Sequence, residues 1–181
     1  MTNYYIYPGR FQPLHIGHFE LIKTILERIE YLYIAIIIKE YSYENPFTYI
    51  ERMEFLTKTL SANNLIHRCS IIPLFAPDIF KWKINNCFFP KRRIWCFPDD
   101  NFNKISDYKK CDELVEVFQR KNKNICASVI RDLITKDLEW ANYIDEVVYN
   151  HIIAINGVDR IKELYNNGVF KNESSNNFRN P

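Results

Sequence analysis

Two apolar runs separated by an amphipathic stretch open the chain, and this pattern restricts the fold more than any other feature. Tyr4-Tyr5-Ile6-Tyr7 is a short run of β-forming residues that ends at Pro8-Gly9. Residues 16–30 then carry Phe19, Leu21, Ile22, Ile25, Leu26 and Ile29 at the spacing of one helix face. Residues 31–38 form a near-continuous β-branched and aromatic run, which suits a central strand covered on both sides. Strand, helix and strand in so short a span predict a βαβ unit with a right-handed crossover and a parallel sheet.

The rhythm continues. Residues 39–47 are polar, tyrosine-rich and interrupted by Pro46, hence a loop. Thr48 with Glu51 three residues later predicts a capping box at the start of a helix over 49–60. Residues 69–74 and 93–97 read as the third and fourth strands, with a short amphipathic piece around Trp82 between them. Residues 114–118 fit helix or strand, and the β-branched Val115 and Val117 favour strand. The basic, Asn-rich stretch 119–124 is expected to be a solvated loop. Helices are expected over 128–140, 143–155 and, after Gly157, 158–164. The expected fold class is α/β: a Rossmann-like parallel sheet with helices on both faces and a small C-terminal helical extension. Residues 1–171 are expected to form a single domain, and 172–181, almost without apolar residues, a loose tail.

Composition limits the setting. The hydrophobic fraction is 47% with no apolar run of bilayer length, so no membrane association is expected. A net charge of +2 argues against an extended nucleic-acid surface and leaves basic residues to act locally. The five cysteines contain no Cys-x-x-Cys pair, and the N-terminus lacks a basic region followed by an apolar one. Reduced thiols in a cytoplasmic protein are the expectation.

Chemistry concentrates in Gly9-Arg10-Phe11-Gln12-Pro13-Leu14-His15-Ile16-Gly17-His18, between the first strand and the first helix. It sets two of the chain's four histidines and an arginine about a helix N-terminus, where unpaired N–H groups and the helix dipole favour an anion. His15 and His18 share one helix face, and Gly17 leaves room for a phosphate to approach the backbone. A bare His-x-x-His pair better fits an ordinary solvated first turn. As zinc ligands they have no third or fourth partner at suitable spacing, so no metal held by protein side chains is expected.

The whole string resembles the Gly-Arg-Phe-Gln-Pro-x-His-x-Gly-His signature of archaeal-type nicotinamide-nucleotide adenylyltransferases, within the His-x-Gly-His nucleotidylyltransferase superfamily. Asn45-Pro46-Phe47-Thr48 with Glu51-Arg52 is similar to a second element of that family. Pro77-Asp78-Ile79 followed by Trp82 is similar to a third, with a shorter spacer than usual before the tryptophan. Ile125-Cys126-Ala127-Ser128-Val129-Ile130-Arg131 is similar to Ile-Ser-x-Thr-x-x-Arg, with Cys126 where a serine is usual and Ser128 where a threonine is. Glu139-Trp140 and residues 156–161 extend the likeness.

The resemblance implies transfer of the adenylyl group of ATP to nicotinamide mononucleotide, giving NAD and pyrophosphate. It implies His15, His18 and Arg131 as catalytic residues. Gly9, Arg10, Phe11, Gly17, Asp99, Asn101, Ser128 and Ile130 would complete the ATP site. Arg52, Asp78 and Trp82 would hold the mononucleotide, the indole stacking on its pyridinium ring. Mg²⁺ would arrive bound to the ATP phosphates, and a homo-oligomer is a further implication. From residues alone, Arg52 and Arg131 also fit solvated helix starts, Trp82 a core position, and Asp99 and Asn101 an ordinary turn. Nicotinic acid mononucleotide, a phosphopantetheine or FMN are alternative acceptors, and a nucleotide-binding regulator with weakened turnover is an alternative role.

Overall fold

Alternate residues of the second apolar run go to opposite sides of a sheet. Leu32, Ile34 and Ile36 join one buried cluster while Ala35 and Ile37 join another, as the two-residue repeat of a strand requires. The same division separates Tyr7 from Ile6 and Cys96 from Trp95 and Phe97. Both faces of the sheet are therefore packed.

The computed structural model describes residues 3–75, 89–110, 113–121 and 123–176. The strands are β1 (Tyr4–Gly9), β2 (Leu32–Ile37), β3 (Cys69–Leu74), β4 (Arg93–Pro98) and β5 (Leu114–Phe118). All neighbours run parallel in the order β3-β2-β1-β4-β5. The chain builds outward from β1 to one side, then returns and builds to the other. The carboxyl ends of β1 and β4 thus flank the switch in strand order, where open α/β sheets leave a crevice.

The helices are α1 (Ile16–Leu26), α2 (Tyr49–Ala62), α3 (Phe102–Lys110), α4 (Ala127–Thr135), α5 (Glu146–Ala154) and α6 (Gly157–Asn176). Thr48 and Glu51 form the expected capping box on α2. Helix α3 is a departure: residues 102–110 carry few apolar side chains and gave no helical expectation. Helix α4 stops at Thr135 instead of continuing to 140, because Asp137 takes a left-handed φ of 55° and the Leu138 N–H bonds back to the Leu133 carbonyl. Asp145 then caps α5, splitting off the front of the expected 143–155 helix. Helix α6 runs through residues 172–176, where a loose tail was expected. Residues 177–181, and the segment with Asp78 and Trp82, lie outside the described residues.

One buried polar group ties β4 to β5. Glu113, just before β5, accepts from Arg93 Nε and from the indole Nε1 of Trp95, both at 2.8 Å. The Arg93 and Glu113 side chains are only 10% and 14% exposed, so little water screens the pair. Glu113→Ala is expected to lower the urea-unfolding free energy by about 3 kcal/mol, since it leaves a buried guanidinium without its carboxylate. Glu113→Gln, which can still accept from Trp95, should lose less than Glu113→Ala but still lose measurably; no loss in Glu113→Gln would show that the charge does not matter.

Candidate active site

Two helix N-termini meet above the β1–β4 crevice. Helix α1 follows β1 and helix α4 follows β5, and between them lies a cleft of about 330 Å³. Gly9, Arg10, Phe11, His15 and His18 line it from the first crossover, Asp100 and Asn101 from the end of β4, and Cys126 and Ser128 from the start of α4.

His15 is the N-cap of α1. Its Nδ1 accepts the backbone N–H of His18 at 3.3 Å, so in the neutral ring the proton sits on Nε2 as a donor. The His18 ring stacks on it, with centroids 3.7 Å apart and planes at 26°. The Nδ1 of His18 is buried without a hydrogen-bond partner among the described residues, which leaves Nε2 as the nitrogen able to meet a ligand. Burial lowers the His15 pKa to about 3, with the Arg120 charge adding to the effect. Burial, the neighbouring His15 and Arg120 push His18 well down too. Near neutral pH both rings are uncharged hydrogen-bond donors.

Phe11 shapes the floor. It has a left-handed φ of 52° and is fully buried, its ring edge-on to both Tyr7 and His18. A Cβ on Gly9 would lie 2.4 Å from that ring, so only glycine fits there. Gly17 was expected to admit a phosphate. Here the space is taken: a Cβ on it would meet Arg120 at 3.1 Å and His15 at 3.2 Å.

Arg131, expected at the triphosphate, and Arg52, expected at the mononucleotide, are both anchored. Arg131 is 3% exposed and donates to the Gln12 carbonyl at 2.7 Å, with its guanidinium over the Tyr43 ring. Arg52 is 2% exposed and donates to the carbonyls of Arg10, Ile37 and Thr48. Neither lines the cleft as described. Each still has one terminal nitrogen without a partner among the described residues, the group through which it can meet a phosphate.

Three expectations need correction. Ile130 is fully buried in the main core and is not among the residues that line this cleft. Asp99 turns away from the cleft: its carboxylate accepts the Arg120 backbone N–H and pairs with Lys123 Nζ at 2.6 Å. Asp100 is the acidic residue that faces inward. The stretch 119–124 is not simply solvated, because Arg120 reaches into the cleft with its side chain 15% exposed. Lys104 on α3 was also missed and lines the same space. The signal for it was faint: Phe102, Ile105 and Tyr108 recur every third residue.

Cys126 occupies the N-cap of α4 without a side-chain capping bond. Its thiol contacts the Ser128 hydroxyl at 3.0 Å. The Cys126 sulfur, a weak acceptor, faces the Ser128 and Val129 N–H groups where a capping oxygen would otherwise stand, so an anion can take its place. Among the described residues, no group of three His, Cys, Asp or Glu is placed to hold a metal ion. No described helix is long and apolar enough to cross a membrane.

Residues 6–164 match the family model described as cytidylyltransferase-like. The chain belongs to the cytidylyltransferase-like family. Within it, the chain is 32% identical over 169 residues to the nicotinamide-nucleotide adenylyltransferase of Saccharolobus solfataricus, covering 88% of this chain and 95% of that protein. It is 29% identical over 171 residues to the protein of the same name from Methanococcus vannielii, with 86% and 91% covered. Its fold is similar to a bifunctional NMN adenylyltransferase/ADP ribose pyrophosphatase from Francisella tularensis, with a TM-score of 0.76 at 18% identity. All of this chain is covered there but only 58% of that one, so the chain spans little over half its length. The Plasmodium falciparum nicotinic acid mononucleotide adenylyltransferase superposes with a TM-score of 0.62 at 16% identity, covering 88% of this chain and 98% of that one. The expected kinship and the Rossmann-like fold of this cytidylyltransferase-like chain both hold.

The buried imidazoles make stability depend on pH. His15 binds its proton more weakly folded than unfolded, so protons favour the unfolded chain from about pH 6.5 down to about 3. Stability is highest above that window and falls on acidification through it. His15→Asn keeps an N-cap acceptor that does not titrate. Its thermal midpoint should fall less than that of the unsubstituted protein between about pH 7 and 5, where carboxylates stay ionised. Parallel curves would place the His15 pKa in its ordinary range.

Proposed function

We propose that this chain transfers the adenylyl group of ATP to nicotinamide mononucleotide, releasing pyrophosphate and forming NAD. The observation that carries the reading is the convergence of two helix N-termini and the His15–His18 pair on one cleft at the β1–β4 switch. The names of the archaeal relatives and their near full-length coverage support the same acceptor.

The attacking mononucleotide phosphate is already an anion near neutral pH, so no general base is needed. The protein must align two polyanions and neutralise charge on the leaving group. His18 serves the α-phosphate and His15, through its Nε2–H, the adjacent phosphate oxygens. The first N–H groups of α4 and the Ser128 hydroxyl receive the β- and γ-phosphates. Arg10 and the unpartnered terminal nitrogen of Arg131 brace the triphosphate, and that of Arg52 meets the mononucleotide phosphate. Because carbonyl bonds already fix Arg52 and Arg131, little side-chain entropy is lost when they bind. Asn101, at the cleft edge after β4, serves the ATP ribose in this reading, and the family resemblance assigns Asp78 and Trp82 to the mononucleotide base. Mg²⁺ enters as part of the MgATP substrate. The setting is cytoplasmic, in keeping with free thiols at Cys69, Cys96 and Cys126.

The test is pyrophosphate release from ATP with nicotinamide mononucleotide and nicotinic acid mononucleotide in turn, with product identified by mass. Turnover on the amide is expected. Turnover on the acid alone would change the acceptor, and ATP binding without pyrophosphate release would make the chain a regulator. His18→Ala should lower kcat by about 10²–10³ with little loss of stability. A fall under about tenfold would remove His18 from the mechanism.

A further inference from the structure

The cleft holds a half-buried cation that no sequence motif brought forward. The Arg120 guanidinium donates to Asp100 Oδ2 at 3.2 Å and to the carbonyl of Ile125, the residue before the N-cap of α4. The nitrogen that donates to Ile125 also lies beside Gly17 at the start of α1. Its backbone is pinned by the Asp99 carboxylate accepting the Arg120 N–H at 3.1 Å. The group therefore sits between the helix start assigned to the α-phosphate and the one assigned to the β- and γ-phosphates.

We propose that Arg120 is a catalytic residue that takes up the charge on the oxygen bridging the α- and β-phosphorus as pyrophosphate leaves. The proposal rests on the adenylyl-transfer reading. In the step, an oxygen of the mononucleotide phosphate forms a bond to the α-phosphorus. The bond from that phosphorus to the bridging oxygen breaks, and its electron pair stays on pyrophosphate. No proton has to move. A donor aimed at the bridging oxygen is most effective in the transition state, where its charge grows.

Two observations support this placement. Asp100 holds the guanidinium through a single contact to one oxygen rather than a two-bond fork, an attachment that a triphosphate can displace. The electrostatic reach of the group is also central: the Arg120 charge bears on His15 and His18 on one wall of the cleft and on the Cys126 thiol on the other.

Arg120→Ala and Arg120→Lys test it in steady-state adenylyl transfer, each first shown folded by circular dichroism. Arg120→Ala should lower kcat by about 10²–10³ with KM for the mononucleotide changed less than about twofold, and Arg120→Lys should fall between. The decisive readout compares ATP analogues with a β,γ-methylene or a β,γ-difluoromethylene bridge, whose leaving groups differ in basicity. Arg120→Ala should lose much more rate with the more basic methylene leaving group. An equal loss with both analogues would mark Arg120 as structural and overturn the proposal, as would a kcat within about tenfold of the unsubstituted protein. If the unsubstituted protein itself releases no pyrophosphate with any mononucleotide, the adenylyl-transfer reading and this proposal fall together.

Discussion

A buried stretch of chain with no regular structure must find partners for its backbone, and that requirement organises this molecule. Residues 10–14 cross from β1 to α1 beneath the cleft, with Phe11, Gln12 and Leu14 at most 1% exposed. No ladder or helix satisfies their carbonyls, so distant side chains do. Arg52 takes the carbonyl of Arg10 and Arg131 that of Gln12. The Gln12 amide pairs with both backbone groups of Phe47, donating at 2.8 Å and accepting at 2.9 Å. Arg160 of α6 in turn holds the Pro46 carbonyl and the Glu51 carboxylate. Crossover loop, α2, α4 and α6 are thereby locked to one another around the segment that carries the histidines.

That bracing supports local features that would otherwise relax. Phe11 keeps a left-handed backbone, unfavourable for a bulky residue, because its ring is packed on every side. Cations crowd the same region. Burial lowers the Lys104 pKa, and Arg10 and Lys39 lower it further. Asp100 is the single carboxylate facing this charge from the cleft lining among the described residues. Such an excess of positive charge costs stability in the empty protein and is relieved by a polyanion. Burial, with these charges adding to it, keeps the imidazoles neutral, and an incoming polyphosphate would favour their protonation instead.

The parts of the fold that could be read from the chain were those written in local periodicity. The opening βαβ unit, the capping box at Thr48 and the strand at Leu114–Phe118 appear where residue spacing and β-branching placed them. Helix α3 escaped because its sequence holds few apolar residues, and its burial comes from Tyr108 packing edge-on against Trp95 and Phe97 across the sheet. Asp99 and Asp100 are indistinguishable by composition. Only the turn after β4 decides which carboxylate faces the loop of Arg120 and which the cleft.

The sequence by itself determined that two helices start just after strands, each with groups suited to anions, because strand and helix periodicity and capping are properties of neighbouring residues. Tertiary structure alone decided which charges meet there. Arg120, in a run that reads as ordinary solvated surface, is brought against Gly17 by the parallel pairing of β4 with β5 and by the turn that follows. Ile130, inside an apparent binding motif, goes to the core. The proton state of His15 and His18 belongs to the same class, since burial and a neighbouring guanidinium exist only once the chain has packed.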